Sequence, residues 1–193
     1  MIFRSAQEDG VRIWRAAHGP FVRHHRIHAA IVACDEGVVN NMQTEQSREL
    51  VQQVWTAFST REPDRIAAFF TDDAEWIAPR ANATAVALGV TDHMKGPAEI
   101  AAFVAHGMQR LYKDVAIKFL GFHADGRFVI VEEEMTATLP NAQPYRLRYC
   151  FIFECREGRV ARVQEYMDTM SGHRQVFGAG HPLASSLPLS RPA

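Results

Sequence analysis

Gly-Arg-Val-Ala-Arg-Val-Gln-Glu-Tyr-Met-Asp-Thr, residues 158–169, is the stretch on which the reading of this chain turns. It begins at a Glu157-Gly158 hairpin signal and continues as an apolar-alternating run, which predicts a last β-strand over 159–167. Two carboxylates, Glu165 and Asp168, stand at its end. A carboxylate at the inner end of a curved sheet can serve as an acid or base; at a strand end it can equally cap the strand and face water. Parity separates the two groups, because Val163, Glu165 and Met167 share one face while Gln164, Tyr166 and Asp168 share the other. Both acids point inward only if a bulge intervenes or the chain leaves the sheet before Asp168.

Three further strand runs precede this one, over 115–122, 127–139 and 145–155, with turn signals at Asp125-Gly126 and Pro140-Asn141. Upstream the period changes. Leu50, Val51, Val54, Trp55 and Phe58 recur at helical spacing, and Ser47 is the expected N-cap. Pro63 suits the first turn of a second helix carrying Ile66, Ala67, Phe69 and Phe70. Thr71-Asp72-Asp73 reads as a turn, 74–78 as a short strand and 79–95 as an irregular loop. Gly96-Pro97 opens a third helix bearing Ile100, Phe103, Val104, Met108 and Leu111. Three helices followed by an antiparallel meander predict an α+β fold, a cone-shaped curved sheet wrapped around the helices. Such a cone leaves a cavity at its open end.

The bulk numbers narrow the function classes. A chain of 193 residues can bury one sizeable core, and a net charge of −1 provides no field for nucleic acid or a membrane surface. No apolar run approaches the roughly 20 residues that span a bilayer, so a cytoplasmic location is expected. Cys34, Cys150 and Cys155 have no zinc spacing, and no phosphate-cradling glycine loop or metal-binding set is present in the sequence. The expectation is a domain without metal or cofactor.

Residues 1–41 differ from the rest, with four arginines, four histidines and no acid between Arg12 and His28. His24, His25 and His28 lack a carboxylate or cysteine partner for a metal. The segment is expected to be a poorly ordered extension. Met42 opens a stretch that reads like an ordinary bacterial start, and an organelle leader fits less well because serine is scarce. Residues 42–177 form the expected domain, and the Gly/Pro/Ser-rich 178–193 a loose tail.

The segments Val-Gln-Gln-Val-Trp-Thr-Ala-Phe (51–58), Pro-Asp-Arg-Ile-Ala-Ala-Phe-Phe-Thr-Asp-Asp-Ala-Glu-Trp (63–76), Gly-Pro-Ala-Glu-Ile-Ala-Ala-Phe (96–103) and the last strand together resemble SnoaL-like domains. These belong to the nuclear transport factor two-like superfamily, whose relatives include ketosteroid isomerases and limonene epoxide hydrolases. The resemblance covers roughly 47–169; it implies the cone fold but not one activity. The ketosteroid isomerase pattern implies an aspartate where Ala78 precedes Pro79, a tyrosine where Val54 stands, and an acidic donor near Tyr149. Of these only Tyr149 can donate a hydrogen bond. The Asp-Arg-Asp set of limonene epoxide hydrolases is missing too, since Arg146 and Arg148 have no aspartate two residues away.

Resemblance to SnoaL-type polyketide cyclases implies cofactor-free chemistry with an acidic acid/base on a late strand, Asp168 first and Glu165 second. Trp76, Phe58, Met108, Tyr149, Phe151, Val163 and His93 are the candidate ligand-contacting residues, His93 from a loop closing the cone. By alternation, one member of Glu132-Glu133-Glu134 must point inward unless that sheet face is wet, and the wet face is the favoured reading. Two functions stay open: an acid/base enzyme of cyclase, isomerase or hydratase type on a small apolar or aromatic carbonyl compound, and a non-catalytic ligand-binding or dimerisation domain. Either is expected to form a homodimer through an outer sheet face carrying Val129, Val131 and Ile152.

Overall fold

Alternation governs the sheet. Along β6 (Phe128–Thr138) every second residue is buried, giving an inward row of Val129, Val131, Glu133, Met135 and Ala137. Along β7 (Pro144–Arg156) the inward row is Tyr145, Leu147, Tyr149, Phe151, Phe153 and Cys155. The computed structural model of the protein describes residues 7–8, 11–12 and 26–181, with side chains from residue 41 onward. His24, His25 and most of the expected extension and tail lie outside the described residues.

The chain divides into two units, 1–37 and 38–193. The first contains the paired two-residue strands β1 (Gln7–Glu8) and β2 (Val11–Arg12), and α1 (Arg26–Thr60) begins within it. The second contains α2 (Pro63–Ala67), β3 (Phe70–Ile77), α3 (Ala83–Leu88), β4 (His93–Lys95) and α4 (Pro97–Ala102). β5 (Lys113–Asp125), β6, β7, β8 (Arg159–Met167) and α5 (Thr169–Phe177) follow. No helix of the described residues is long and apolar enough to cross a membrane.

The six strands lie in the order β4-β3-β8-β7-β6-β5. The β5-to-β8 meander is antiparallel as expected, but β3 joins β8 in parallel, so the curved sheet is mixed. The hairpin at Glu157-Gly158 has both residues at positive φ, 52° and 71°, the conformation that a tight two-residue turn requires. In β8, Ala161 is an extra residue, because Cys155 pairs with Val160 and Glu154 with Arg162. Beyond that bulge Val163, Glu165 and Met167 sit opposite the inward Phe153, Phe151 and Tyr149.

Several local expectations are corrected. Ser47 is not a cap: it lies inside α1, 5% exposed, beside the Cys155 thiol. Thr71, Asp72 and Asp73 belong to β3 and form no turn; the strand is irregular there, with Asp72 paired to Arg159 and Asp73 to Arg156. The region 79–95 is organised by Asn82, whose side chain caps α3 by accepting from Ala85 N–H at 3.0 Å, and by Gly89 at φ 64°. Val129 and Val131 are wholly buried in the core, so the outer face carries Phe128 and Ile130 instead.

The core packs into one part of the concavity. Val51 and Val54 from α1, Ile66 from α2 and Ile100 from α4 are fully buried against Val131, Phe153 and Val163 of the sheet. Arg48 donates to the Phe122 carbonyl at 3.0 Å and Thr44 accepts from Gly126 N–H at 2.8 Å, tying α1 to the β5–β6 hairpin. After α4 the backbone widens into a π-helical turn, Phe103–Gly107, and tightens again over Met108–Arg110. This irregularity is the kind that helices carry at functional sites, and here it turns Phe103, Val104 and Met108 toward a cavity.

Candidate functional site

The core stops short of filling the cone, leaving a cavity of about 440 Å³, large enough for a small organic molecule. Its wall is mostly apolar and includes a run of aromatic rings. Phe58 stands 6.1 Å from Trp76, Trp76 5.7 Å from Phe151, and Tyr149 stacks on Phe151 at 5.8 Å. Trp55 closes another side, with its ring 5.6 Å from Phe151 and 5.2 Å from Phe119.

Two carboxyls enter this wall. Glu165 lines the cavity, and its Oε2 accepts the Trp76 indole N–H at 2.8 Å. Burial holds its pKa up near 7, although the indole bond favours the anion. Glu133, on β6, is only 3% exposed and also lines the cavity. Burial first, and the charge of Glu165 second, raise it to about 8. Its Oε2 has no hydrogen-bond partner among the described residues. The wet-face expectation for 132–134 is therefore overturned: Glu132 is exposed and Glu134 pairs with Arg146 and Arg148, while the middle glutamate points inward.

Beside the carboxyls lies a cluster of phenols. The Tyr145 and Tyr149 hydroxyls are 2.8 Å apart, and the Tyr112 and Tyr145 rings 4.8 Å apart. The Tyr112 hydroxyl shares a hydrogen bond of 2.7 Å with Thr84 on α3. Burial raises all three phenols above the ordinary tyrosine value, so they stay protonated. Tyr112 and Tyr149 reach the cavity; Tyr145 stands behind them.

The structure brings together most of the candidates from the sequence and separates three. Glu165, Trp76, Phe58, Met108, Tyr149 and Phe151 line one cavity. Val163 is fully buried in the core beneath it. His93 lies at the start of β4, 3.2 Å from the Glu75 carboxylate and away from the cavity lining. Asp168 is exposed and caps α5, accepting from Ser171 N–H at 2.9 Å, a helix the sequence reading does not contain. Glu133, Tyr112 and Tyr145 are the additions. For Glu133 the signal is an acid interrupting the inward row of β6. Among the described residues no group of histidines, cysteines and acids could hold a metal ion.

Fold and site together define a curved-sheet pocket protein of the nuclear transport factor two-like type, with two carboxyls and three phenols about one apolar cavity. The chain belongs to the SnoaL-like domain family, whose model matches residues 51–163. It is similar to a nuclear transport factor two-like protein from Burkholderia xenovorans at 21% identity, covering 69% of this chain and 97% of that one, TM-score 0.58. It is similar also to a SnoaL-like polyketide cyclase assigned in Jannaschia at 15% identity, covering 72% and 95%, TM-score 0.58. A third similar structure is TerC co-crystallised with polyporic acid, 21% identical, covering 68% of this chain and 98% of TerC, TM-score 0.59. These likenesses establish the fold. None of the curated proteins matches the chain significantly.

Proposed function

We propose that this protein is a cofactor-free acid/base enzyme acting on a small apolar or aromatic carbonyl compound, with Glu165 as the base. The observation that carries the reading is the Glu165 carboxyl, set in an aromatic cavity beside hydroxyl donors and poised near neutrality. In this reading Glu165 takes a proton from the carbon α to a carbonyl. The C–H electron pair passes into the enolate, whose oxygen accepts a hydrogen bond from Tyr149 or Tyr112. Tyr145 supports Tyr149 from behind through their shared hydrogen bond. Return of the proton to a different carbon, from Glu165 or from a protonated Glu133, completes an isomerisation; where the enolate carbon instead attacks a second carbonyl of the same molecule, that C=O electron pair moves to its oxygen, which takes the proton, and the product is cyclised. Relatives of this fold that carry the cyclase description, and TerC with its polyporic acid, support a small organic ligand.

The test is α-proton exchange. Aryl ketones and aryl 1,3-diketones are incubated in D2O, and loss of the α-proton signal is followed by NMR. Catalysed exchange that rises with pH through about 7 and falls 10²–10⁴-fold in Glu165→Gln is the expected result. Exchange no faster than buffer, or unchanged by that substitution, overturns the reading.

Self-association is proposed through the outer sheet face, on which Phe128, Ile130 and Tyr166 are 39%, 38% and 51% exposed beside Ile152.

A further inference from the structure

The charge balance of the cavity is one-sided. Glu133 and Glu165 are separated by one strand, with Glu133 opposite Tyr149 on β7 and Glu165 opposite the neighbouring inward residue, Phe151. Among the described residues, no lysine, arginine or histidine forms an ion pair with either carboxyl. Arg61 is the cationic side chain among the lining residues, and it is exposed. A buried acid in this position must hold a proton or find a cation. Glu133 also has an unpaired oxygen with 3% of the residue exposed.

The ring walls act in the same direction. The faces of Trp, Tyr and Phe carry the negative end of the aromatic quadrupole, so a ring face turned to the cavity attracts a cation. Trp55, Phe58, Tyr149 and Phe151 supply rings on which a cation can seat beside the carboxyls, while Trp76 turns its N–H edge to Glu165. A neutral hydroxyl could satisfy one carboxylate oxygen but would leave the enclosure net negative whenever both acids ionise. An organic cation answers both features at once.

We infer that the ligand of this cavity carries a cationic nitrogen, held between the Glu133 and Glu165 carboxyls and the aromatic wall. This deepens the proposed function by naming the substrate class, a carbonyl compound bearing a basic amine, and rests on the same cavity being the ligand site. The charge dependence belongs to the two carboxyls. The other titratable groups facing them are the phenols Tyr112, Tyr145 and Tyr149, raised above their ordinary range and neutral throughout, and Arg61 at the exposed side.

The probe is benzyltrimethylammonium, whose charge does not change with pH, set against its neutral carbon isostere, neopentylbenzene. Binding to the full chain is measured by tryptophan fluorescence and calorimetry at pH 5 and pH 8.5. At pH 8.5 the cation should bind about tenfold more tightly than the isostere, as desolvated cation–π and carboxylate contacts imply. That preference should shrink severalfold at pH 5, and at pH 8.5 in both Glu165→Gln and Glu133→Gln. Equal binding of the two probes at pH 8.5, or a preference indifferent to pH and to both substitutions, overturns the inference. The exchange assay separates the two readings. Exchange without cation preference removes the amine and keeps the acid/base enzyme; cation preference without exchange keeps the amine and removes the enzyme.

Discussion

Glu133→Gln should make the protein more stable, by an amount that grows as the pH rises from about 4.5 to about 8. The substitution keeps the shape of the side chain and removes its ability to ionise. In the wild type, burial carries this carboxyl from an ordinary value of 4.5 to about 8. At roughly 1.4 kcal/mol per pH unit that displacement amounts to about 4–5 kcal/mol. The sign follows from proton binding: between these two values the folded state holds the proton and the unfolded chain has released it. Stability from this group is thus fully present below about pH 4.5, declines as the pH climbs, and is lost once the pH passes about 8. Gln has no such decline. Urea unfolding at pH 4.5, 6.5 and 9, at fixed ionic strength, reads the difference directly. The variant should match the wild type within about 1 kcal/mol at the lowest pH and exceed it by about 3–5 kcal/mol at the highest. Glu165, raised to about 7, bends the curves of both proteins in the same direction and largely drops out of the comparison. A difference constant across the range would show that Glu133 titrates in water, and would remove it from the cavity.

Asp168→Ala should cost about 1 kcal/mol of stability, the worth of an N-cap, and leave α-proton exchange within about twofold, whereas Asp168→Asn should restore the cap. A large loss of exchange in both variants would return Asp168 to the chemistry. Trp76→Phe removes the indole bond that favours ionised Glu165, so the pH–rate profile should move to higher pH; an unmoved profile would mean the bond is absent in solution. Gly107→Ala places a methyl group 2.7 Å from the Phe103 ring, inside contact distance. The overpacking should lower stability by about 1 kcal/mol despite the better helix propensity of alanine. A higher melting temperature would mean that Phe103 simply turns aside.

Much of the fold is legible because it is local. The four-strand meander follows from runs of alternating residues joined at Asp125-Gly126, Pro140-Asn141 and Glu157-Gly158, and α2 and α4 from prolines at their first turns. The parallel pairing of β3 with β8 was not legible: Trp76 and Val163 are distant in sequence, and neither segment carries a mark of the other. The short elements α3 and α5 did carry marks, Asn82 with Gly89 and Asp168 at a strand end. In each case a polar residue that reads as loop chemistry is the cap of a helix. Asp168 reads as a base for the same reason that it is a good cap, an acceptor placed where the chain leaves the sheet.

The site follows a rule that parity makes visible. In a sheet closed over helices, the inward rows are apolar, and a polar residue in such a row either finds partners or faces a cavity. Tyr145 and Tyr149 interrupt the row of β7 and hydrogen-bond each other. Glu165 interrupts the row of β8 and is partnered by Trp76 from the parallel neighbour, a partner that only the non-local pairing supplies. Glu133 interrupts the row of β6 and has an oxygen left over. On a flat sheet the two glutamates, two strand spacings apart and offset by two residues, would have Cα atoms about 12 Å apart. Both side chains leave the concave face and line one cavity, and the charge of Glu165 adds to burial in raising the proton affinity of Glu133. The electrostatic coupling of these carboxyls depends on that shared concave face, which the Ala161 bulge in β8 helps to curve. A substitution that flattens the sheet there should loosen that coupling without touching either acid.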